Sequence, residues 1–271
     1  MTSVRHTNPE LGFTLIELLA ALGIFLLITG AAFTLLSSSQ QRYQTDSQLL
    51  TSFQEARLGL DQVVRDINDA GYPPPSFVDT DPAKFTSFPF GWSPSYPTPC
   101  TIGNTCITPG DFDLIIETNP NPQDGGPVQW IRYQLQVPPA VPVPTLMRGA
   151  AQKQTGHDPA VDTAAFLSPF VQNVVNNSPN LQVGKFQLSA SNPAVFPGGN
   201  PVPIFTYICD TPTSPQYPAP LCSNAVSDNS PANIRDVAIT LIVASPLPDA
   251  TTGQPRLVQL SARGRRVNPN Q

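Results

Sequence analysis

"GFTLIELLAALGIFLLITGAAFTLL", Gly12 to Leu36, decides how the rest of the chain is read. From Leu18 to Leu36 nineteen residues pass without a charge, and as a helix rising about 1.5 Å per residue they span roughly 28 Å, close to a bilayer's hydrocarbon core. The stretch predicts a membrane-crossing helix. A secretory signal would place a basic stretch, a shorter apolar region and then a small-residue cleavage site in that order. Here a polar leader, "MTSVRHTNPELG", comes first, and no such site follows before the chain continues as "SSSQQRYQTDSQ". Glu17 lies near the start of the apolar run, where a charge in lipid costs about 2.5 to 3.5 kcal/mol on insertion scales and calls for water or a cation.

The helical pattern continues beyond the apolar run. Leu49, Phe53, Ala56, Leu60, Val63, Ile67 and Ala70 recur at steps of four and three, the seam of an amphipathic helix, while Arg57, Asp61 and Arg65 follow at i,i+4 on a wet face. Gly71, Tyr72 and Pro73 to Pro75 then stop it, because Gly accepts the left-handed conformation and proline cannot continue a helix. The pattern predicts one helix from about Phe13 to Ala70, apolar all round in its first half and amphipathic in its second. A break near Ser37 to Ser39 is the alternative.

Past Tyr72 the period changes to two. "DLIIET", "VQWIRYQLQV", "GKFQLSA" from Gly184, "IFTYIC", "IRDVAITLIVA" and "LVQLSARGRRV" predict six short strands bounded by Pro, Gly and Asn. In the second, Ile131, Tyr133, Leu135 and Val137 alternate with Arg132, Gln134 and Gln136, which predicts one wet face. In the fifth, Val237, Ile239, Leu241 and Val243 share a face that the Leu49–Ala70 seam is long enough to cover, and the last two strands flank the turn-prone "SPLPDATTGQP" and pair as an antiparallel hairpin. The fold class is α+β: a long N-terminal helix packed on an antiparallel β-sheet with long Pro-rich loops. Residues 13–70 form the helix and residues 71–271 the β-rich domain. The segments Pro73–Gly110 and Pro193–Pro220 are either a partner surface or plain decoration.

A chain of 271 residues is long enough for one sizeable domain plus an appendage. Charged residues make up 12% and the net charge is -5, so no basic field exists for nucleic acid, and none is predicted as a partner. The four cysteines all lie in the Pro-rich part, Cys100 with Cys106 and Cys209 with Cys222. An even number at short spacings predicts two local disulfides in an oxidising compartment. Zinc is the alternative, but neither pair has the usual two-to-four-residue gap and the only histidine here is His157. His157 beside Asp158 predicts a solvated loop residue. Asp79 with Asp81 and Asp111 with Asp113 are common loop pairs lacking a full set of calcium ligands, and Arg263, Arg265 and Arg266 are expected to flank a strand end in water. No nucleophile elbow, P-loop or zinc-protease helix occurs, so no catalytic residue, metal or cofactor is predicted.

A cut after Gly12 would place a new α-amino group on Phe13, one helical turn from Glu17, and so supply the cation that a buried carboxylate needs. The residues "GFTLIELLAALGIFLL", with polar leader, Gly12, Phe13 and Glu17 in that order, resemble the N-terminal signature of type IV prepilins and of the pseudopilins of type II secretion. Thr14, Leu15 and Ile16 fit the same pattern. The resemblance implies that residues 1–12 are a prepilin leader and that a prepilin peptidase cuts between Gly12 and Phe13 and methylates the Phe13 amine. It also implies that Glu17 pairs with the amine of a neighbouring subunit during assembly. The late strand pair with "NIRDVAITLIVAS" resembles the larger minor pilins in patterning. The expected protein is a minor subunit of a type IV pilus or related filament, single-pass in the inner membrane, its C-terminal domain in the periplasm or on an extracellular filament. Its expected partners are the peptidase, other pilin or pseudopilin subunits and inner-membrane lipid. A type II secretion minor pseudopilin and a membrane-anchored adhesive or binding protein are the alternatives. An anchored periplasmic hydrolase lacks candidate residues.

Overall fold

The computed structural model describes residues 12–74, 81, 83–121, 126–139, 142–178, 192–210, 220–223, 227–249 and 252–267. The leader before Gly12, Asp79 and the strand expected at Gly184 lie outside the described residues.

A single helix, α1, runs from Leu15 to Asn68 without a break at Ser37–Ser39. In that polar stretch the Ser38 hydroxyl bonds back to the Leu35 carbonyl at 2.9 Å within the helix, as Thr29 and Thr34 do upstream to Phe25 (2.7 Å) and Ala31 (2.8 Å). Gly71 takes a positive φ of 82° beyond the helix and donates its N–H to the Glu117 carbonyl at 2.9 Å, which turns the chain into the β-rich part.

Two antiparallel sheets follow, where a single sheet was expected. The first has five strands in sequential order: β1 Phe90–Gly91, β2 Asp113–Thr118, β3 Gln129–Gln136, β4 Thr145–Gln152 and β5 Ser168–Gln172. A short helix, α2 Pro159–Ala164, joins the last two. The second has three: β6 Phe205–Cys209, β7 Ile234–Pro248 and β8 Pro255–Arg265, the last two forming the expected hairpin. Periodicity missed β4 because "TLMRGAAQ" alternates weakly; a Cβ on Gly149 would come within 2.9 Å of the Phe166 backbone, so close chain approach takes precedence over strand propensity there. It missed β5 because Pro169 breaks the pattern, and Pro is tolerated there since β5 is an edge strand.

The amphipathic half of α1 is shared between both sheets. Ala56, Leu60, Val63, Ile67 and Ala70 join one apolar cluster with Leu114, Ile131, Tyr133 and Val171 of the first sheet and Val237, Ile239, Leu241 and Val243 of the second. Packing is close enough that a Cβ on Gly59 would lie 2.3 Å from Val171 and one on Gly264 2.6 Å from Ile67. Arg57, Asp61 and Arg65 face outward and are exposed.

The wet face expected for β3 is covered at Trp130 and Arg132, while Gln134 and Gln136 stay half-buried. Trp92, Tyr96, Ile115 and Trp130 form a second apolar cluster, and Arg132 is buried with its guanidinium held by Asp113 at 2.6 and 2.9 Å. Part of the cover comes from the Pro73–Gly110 segment, whose Phe90, Trp92 and Tyr96 pack as core while Pro94, Ser95 and the stretch from Pro97 to Pro99 stay exposed. A third cluster, Val175, Phe196, Ile242 and Ala244, covers the other side of β7, which accounts for the nearly unbroken apolar run of that strand.

Candidate functional site

Among the described residues, the N-terminal stem is a large apolar surface that the fold leaves uncovered. Phe13 is 88% exposed, and every large apolar residue from Leu15 to Leu36 is exposed as well. None of the most apolar stretch of α1 is buried against the chain itself, and the helix is long and apolar enough to cross a membrane. Roughly twenty apolar residues in water would be untenable, so lipid or other chains must cover them.

At the head of the stem, Thr14 is the N-cap and Glu17 the third helical residue, and they form a reciprocal capping box. Glu17 Oε2 accepts the Thr14 backbone N–H at 3.0 Å and its hydroxyl at 2.8 Å, while the Glu17 N–H donates to Thr14 Oγ1 at 3.3 Å. The carboxylate therefore caps its own helix through one oxygen, and Oε1 has no protein partner among the described residues. Gly12 precedes this cap in open space: nothing lies within 4 Å of a Cβ built there. Among the described residues no packing requires glycine at that position.

Cys100–Cys106 and Cys209–Cys222 are disulfides with S–S distances of 1.98 and 2.03 Å. The first closes a short loop beside the Trp92–Tyr96 cluster, and the second ties β6 to the segment that follows it.

Two buried polar clusters join the parts of the head, and sequence patterning did not single them out. Asp66, one residue from the seam, accepts from Tyr133 Oη (2.5 Å), Arg148 Nη2 (3.0 Å) and Gln62 Nε2 (2.8 Å), binding α1 to β3 and β4. Thr45, Ser52, Gly59 and Asp66 are all buried at seven-residue intervals, a line of small and polar residues beside the apolar seam that could have marked a second contact face. Glu117, fully buried on β2, accepts from Lys153 Nζ (2.6 Å), the Ser87 N–H (2.5 Å), Tyr96 Oη (2.6 Å) and Trp130 Nε1 (3.2 Å), so each oxygen has two donors. Burial, and next to it the charge of Glu117 or Asp66, pushes Tyr96 and Tyr133 well above the ordinary phenol range and keeps both as hydrogen-bond donors.

The remaining polar candidates have structural partners. His157 is exposed and sits 3.1 Å from Asp162, while Asp158 caps α2 and accepts from Ser93 Oγ at 2.6 Å. Asp113 is held by Arg132 and Gln134, and its burial raises its pKa despite the opposing guanidinium. Among the described residues no group of three or more His, Cys, Asp or Glu could hold a metal ion. Arg263 and Arg265 are exposed beside Asp236, but Arg266, expected in water, is buried, and burial lowers its pKa.

One known sequence pattern, the prokaryotic N-terminal methylation motif, matches residues 8–33. No curated protein and no solved structure matches the chain. With the apolar helix that begins within it, the motif makes the N-terminus type IV prepilin-like.

Proposed function

We propose that the chain is a minor subunit of a type IV pilus or a related filament, cut between Gly12 and Phe13 by a prepilin peptidase, methylated on the Phe13 amine, and assembled through α1. The observation that carries this reading is the uncovered stem headed by Glu17, within the matched motif. Before assembly the stem is held in the inner membrane, with the disulfide-bearing head in the periplasm. During assembly it leaves lipid for a bundle of like stems, and the head lies outside. The free Oε1 of Glu17 receives the Phe13 amine of a neighbouring subunit, an ionic bond in an apolar surround that sets axial register. Families with this motif are generally structural, and no reaction is assigned to the chain. A minor pseudopilin of type II secretion shares the stem chemistry and differs in the apparatus around it.

The test is the ratio of protein in sheared filaments to protein in membranes for wild type, Glu17→Val and Glu17→Gln. Glu17→Val removes the charge, so it keeps insertion intact and loses filament incorporation; Glu17→Gln, which accepts a hydrogen bond without neutralising an amine, is intermediate. Equal ratios would assign Glu17 to the helix cap alone and favour a membrane-anchored binding protein.

A further inference from the structure

α1 and β8 run side by side in one direction. At the upper end Asn68 Oδ1 accepts the Arg265 N–H at 3.0 Å and a Cβ on Gly264 would lie 2.6 Å from Ile67; further down, Arg256 pairs with Asp46 at 2.5 Å. The turn that joins β7 to β8 therefore points along α1 toward the stem. Asp46 follows Leu36, the last residue of the apolar run, by about 15 Å of helix, and the strand from Arg256 back to Gly253 covers about 10 Å of that distance. Counted instead from the upper ties, about 47 Å of helix stands against about 37 to 40 Å of strand. The two counts put the turn about 5 to 10 Å above Leu36. With Leu18 to Leu36 filling the hydrocarbon core, the headgroup layer on this side occupies about the first 5 to 7 Å beyond Leu36, and a side chain at the turn spans the remainder.

We propose that the β7–β8 turn is a foot that rests in the headgroup layer of the membrane holding the stem, so that the head stands on the bilayer until α1 is drawn into a filament. The inference rests on the membrane reading of the stem. The chemistry of the turn suits a poorly hydrated place. From Ser245 to Pro255 the only charged residue is Asp249, which is buried and paired with Arg256 at 2.5 Å. Pro246, Pro248 and Pro255 have no N–H to satisfy. Asp249 gives its N–H to the Gln254 carbonyl at 2.9 Å, Gly253 to that of Asp249 at 2.8 Å, and Arg256 to Ser245 Oγ at 3.0 Å, while Thr252 and Gln254 reach Asp249 Oδ1 and Thr252 Oγ1, both at 3.3 Å. The turn thus satisfies these donors from within itself. Leu247, 42% exposed between two exposed prolines, ends a strand that otherwise buries its large apolar residues, and it gains by leaving water for the interface. Arg256 holds Asp46 and Asp249 together, which fixes the turn to the stem at one height. A second polypeptide suits the turn less well, since the turn's one carboxylate is already paired and its donors are already used.

The test uses the full chain in phosphatidylcholine nanodiscs, with a fluorophore on one introduced cysteine and a nitroxide quencher carried either on the lipid headgroup or deep in the acyl chain. Headgroup quenching at Thr252→Cys is expected to exceed that at Val267→Cys, which lies beside Asn68 at the top of α1, at least about threefold. Adding Leu247→Asp, at an exposed position that the fold does not need, should cut the quenching at Thr252→Cys at least about threefold, because a new charge resists leaving water. Leu27→Cys with the acyl-chain nitroxide reports on the span by itself. Equal headgroup quenching at Thr252→Cys and Val267→Cys, or no effect of Leu247→Asp, would overturn the foot. If Leu27→Cys is quenched in the same discs, the membrane reading stands and the foot alone fails. Absence of acyl-chain quenching at Leu27→Cys would overturn both.

Discussion

Removing the Asp66 carboxylate tests whether the head is locked to the stem by one polar joint. In Asp66→Ala, Tyr133 Oη, Arg148 and Gln62 all lose an acceptor at hydrogen-bond distance. Breaking a buried ion pair costs about 3 to 5 kcal/mol. The Arg148 side chain is 29% exposed and can be rehydrated, so the expected cost falls to about 2 to 4 kcal/mol. For a head of this size that lowers the melting temperature by roughly 5 to 15 °C. Tyr133→Phe removes a single hydroxyl and should cost about 1 to 2 kcal/mol. The two should be strongly non-additive, with a coupling of at least about 1 kcal/mol, because both act on the same carboxylate. The assay is urea unfolding of the full chain in detergent, followed by circular dichroism and tryptophan fluorescence, since Trp92 and Trp130 report on the head. A cost for Asp66→Ala below about 0.5 kcal/mol, or strict additivity with Tyr133→Phe, would refute the joint.

Gly264→Ala places a methyl 2.6 Å from Ile67 Cγ2, so α1 must move off β8, and a loss of about 1 to 3 kcal/mol in the same unfolding assay is expected. Burial, with the charge of Asp66 next, raises the pKa of Asp69; a raised folded-state carboxyl pKa means that its contribution to stability is greatest in acid and is lost as pH rises through that pKa. Asp69→Asn should therefore stabilise the head at neutral pH and leave it nearly unchanged in acid, as read by melting temperature at pH 4 and pH 7. Replacing both cysteines of Cys209–Cys222 by Ala should cost roughly 3 kcal/mol and replacing those of Cys100–Cys106 roughly 2, because the separations are 13 and 6 residues and loop-closure entropy grows with loop length; unfolding of the two variants checks the order.

The helix and the paired late strands were legible because their patterns are local. The steps of four and three from Leu49 to Ala70 and the alternation of Val237 to Val243 record burial directly: the structure buries Ala56, Leu60, Val63, Ile67 and Ala70 of that seam, and leaves Leu49 and Phe53 at its start half-buried. What was not legible depends on distant chain. Arg132 alternates as a solvent-facing residue should, yet Asp113 and the aromatic cover from the Pro-rich segment bury it. β4 hides behind Gly149, whose small size serves a crossing segment rather than its own strand. At the stem, the charge of Glu17 in an apolar context was plain from residue order, whereas its capping role needed Thr14 at the right backbone angles. The two polar joints at Asp66 and Glu117 could not be paired from sequence, because Tyr133 lies 67 residues from Asp66, and Ser87 and Lys153 lie 30 and 36 residues from Glu117.

Processing and assembly of this chain through its stem are tested by the N-terminal mass of the protein recovered from sheared filaments of cells that contain the prepilin peptidase. That terminus should be N-methylated Phe13, with no leader peptide. An intact Met1 terminus in that fraction, or the absence of the chain from filaments while it accumulates uncut in membranes, would contradict it.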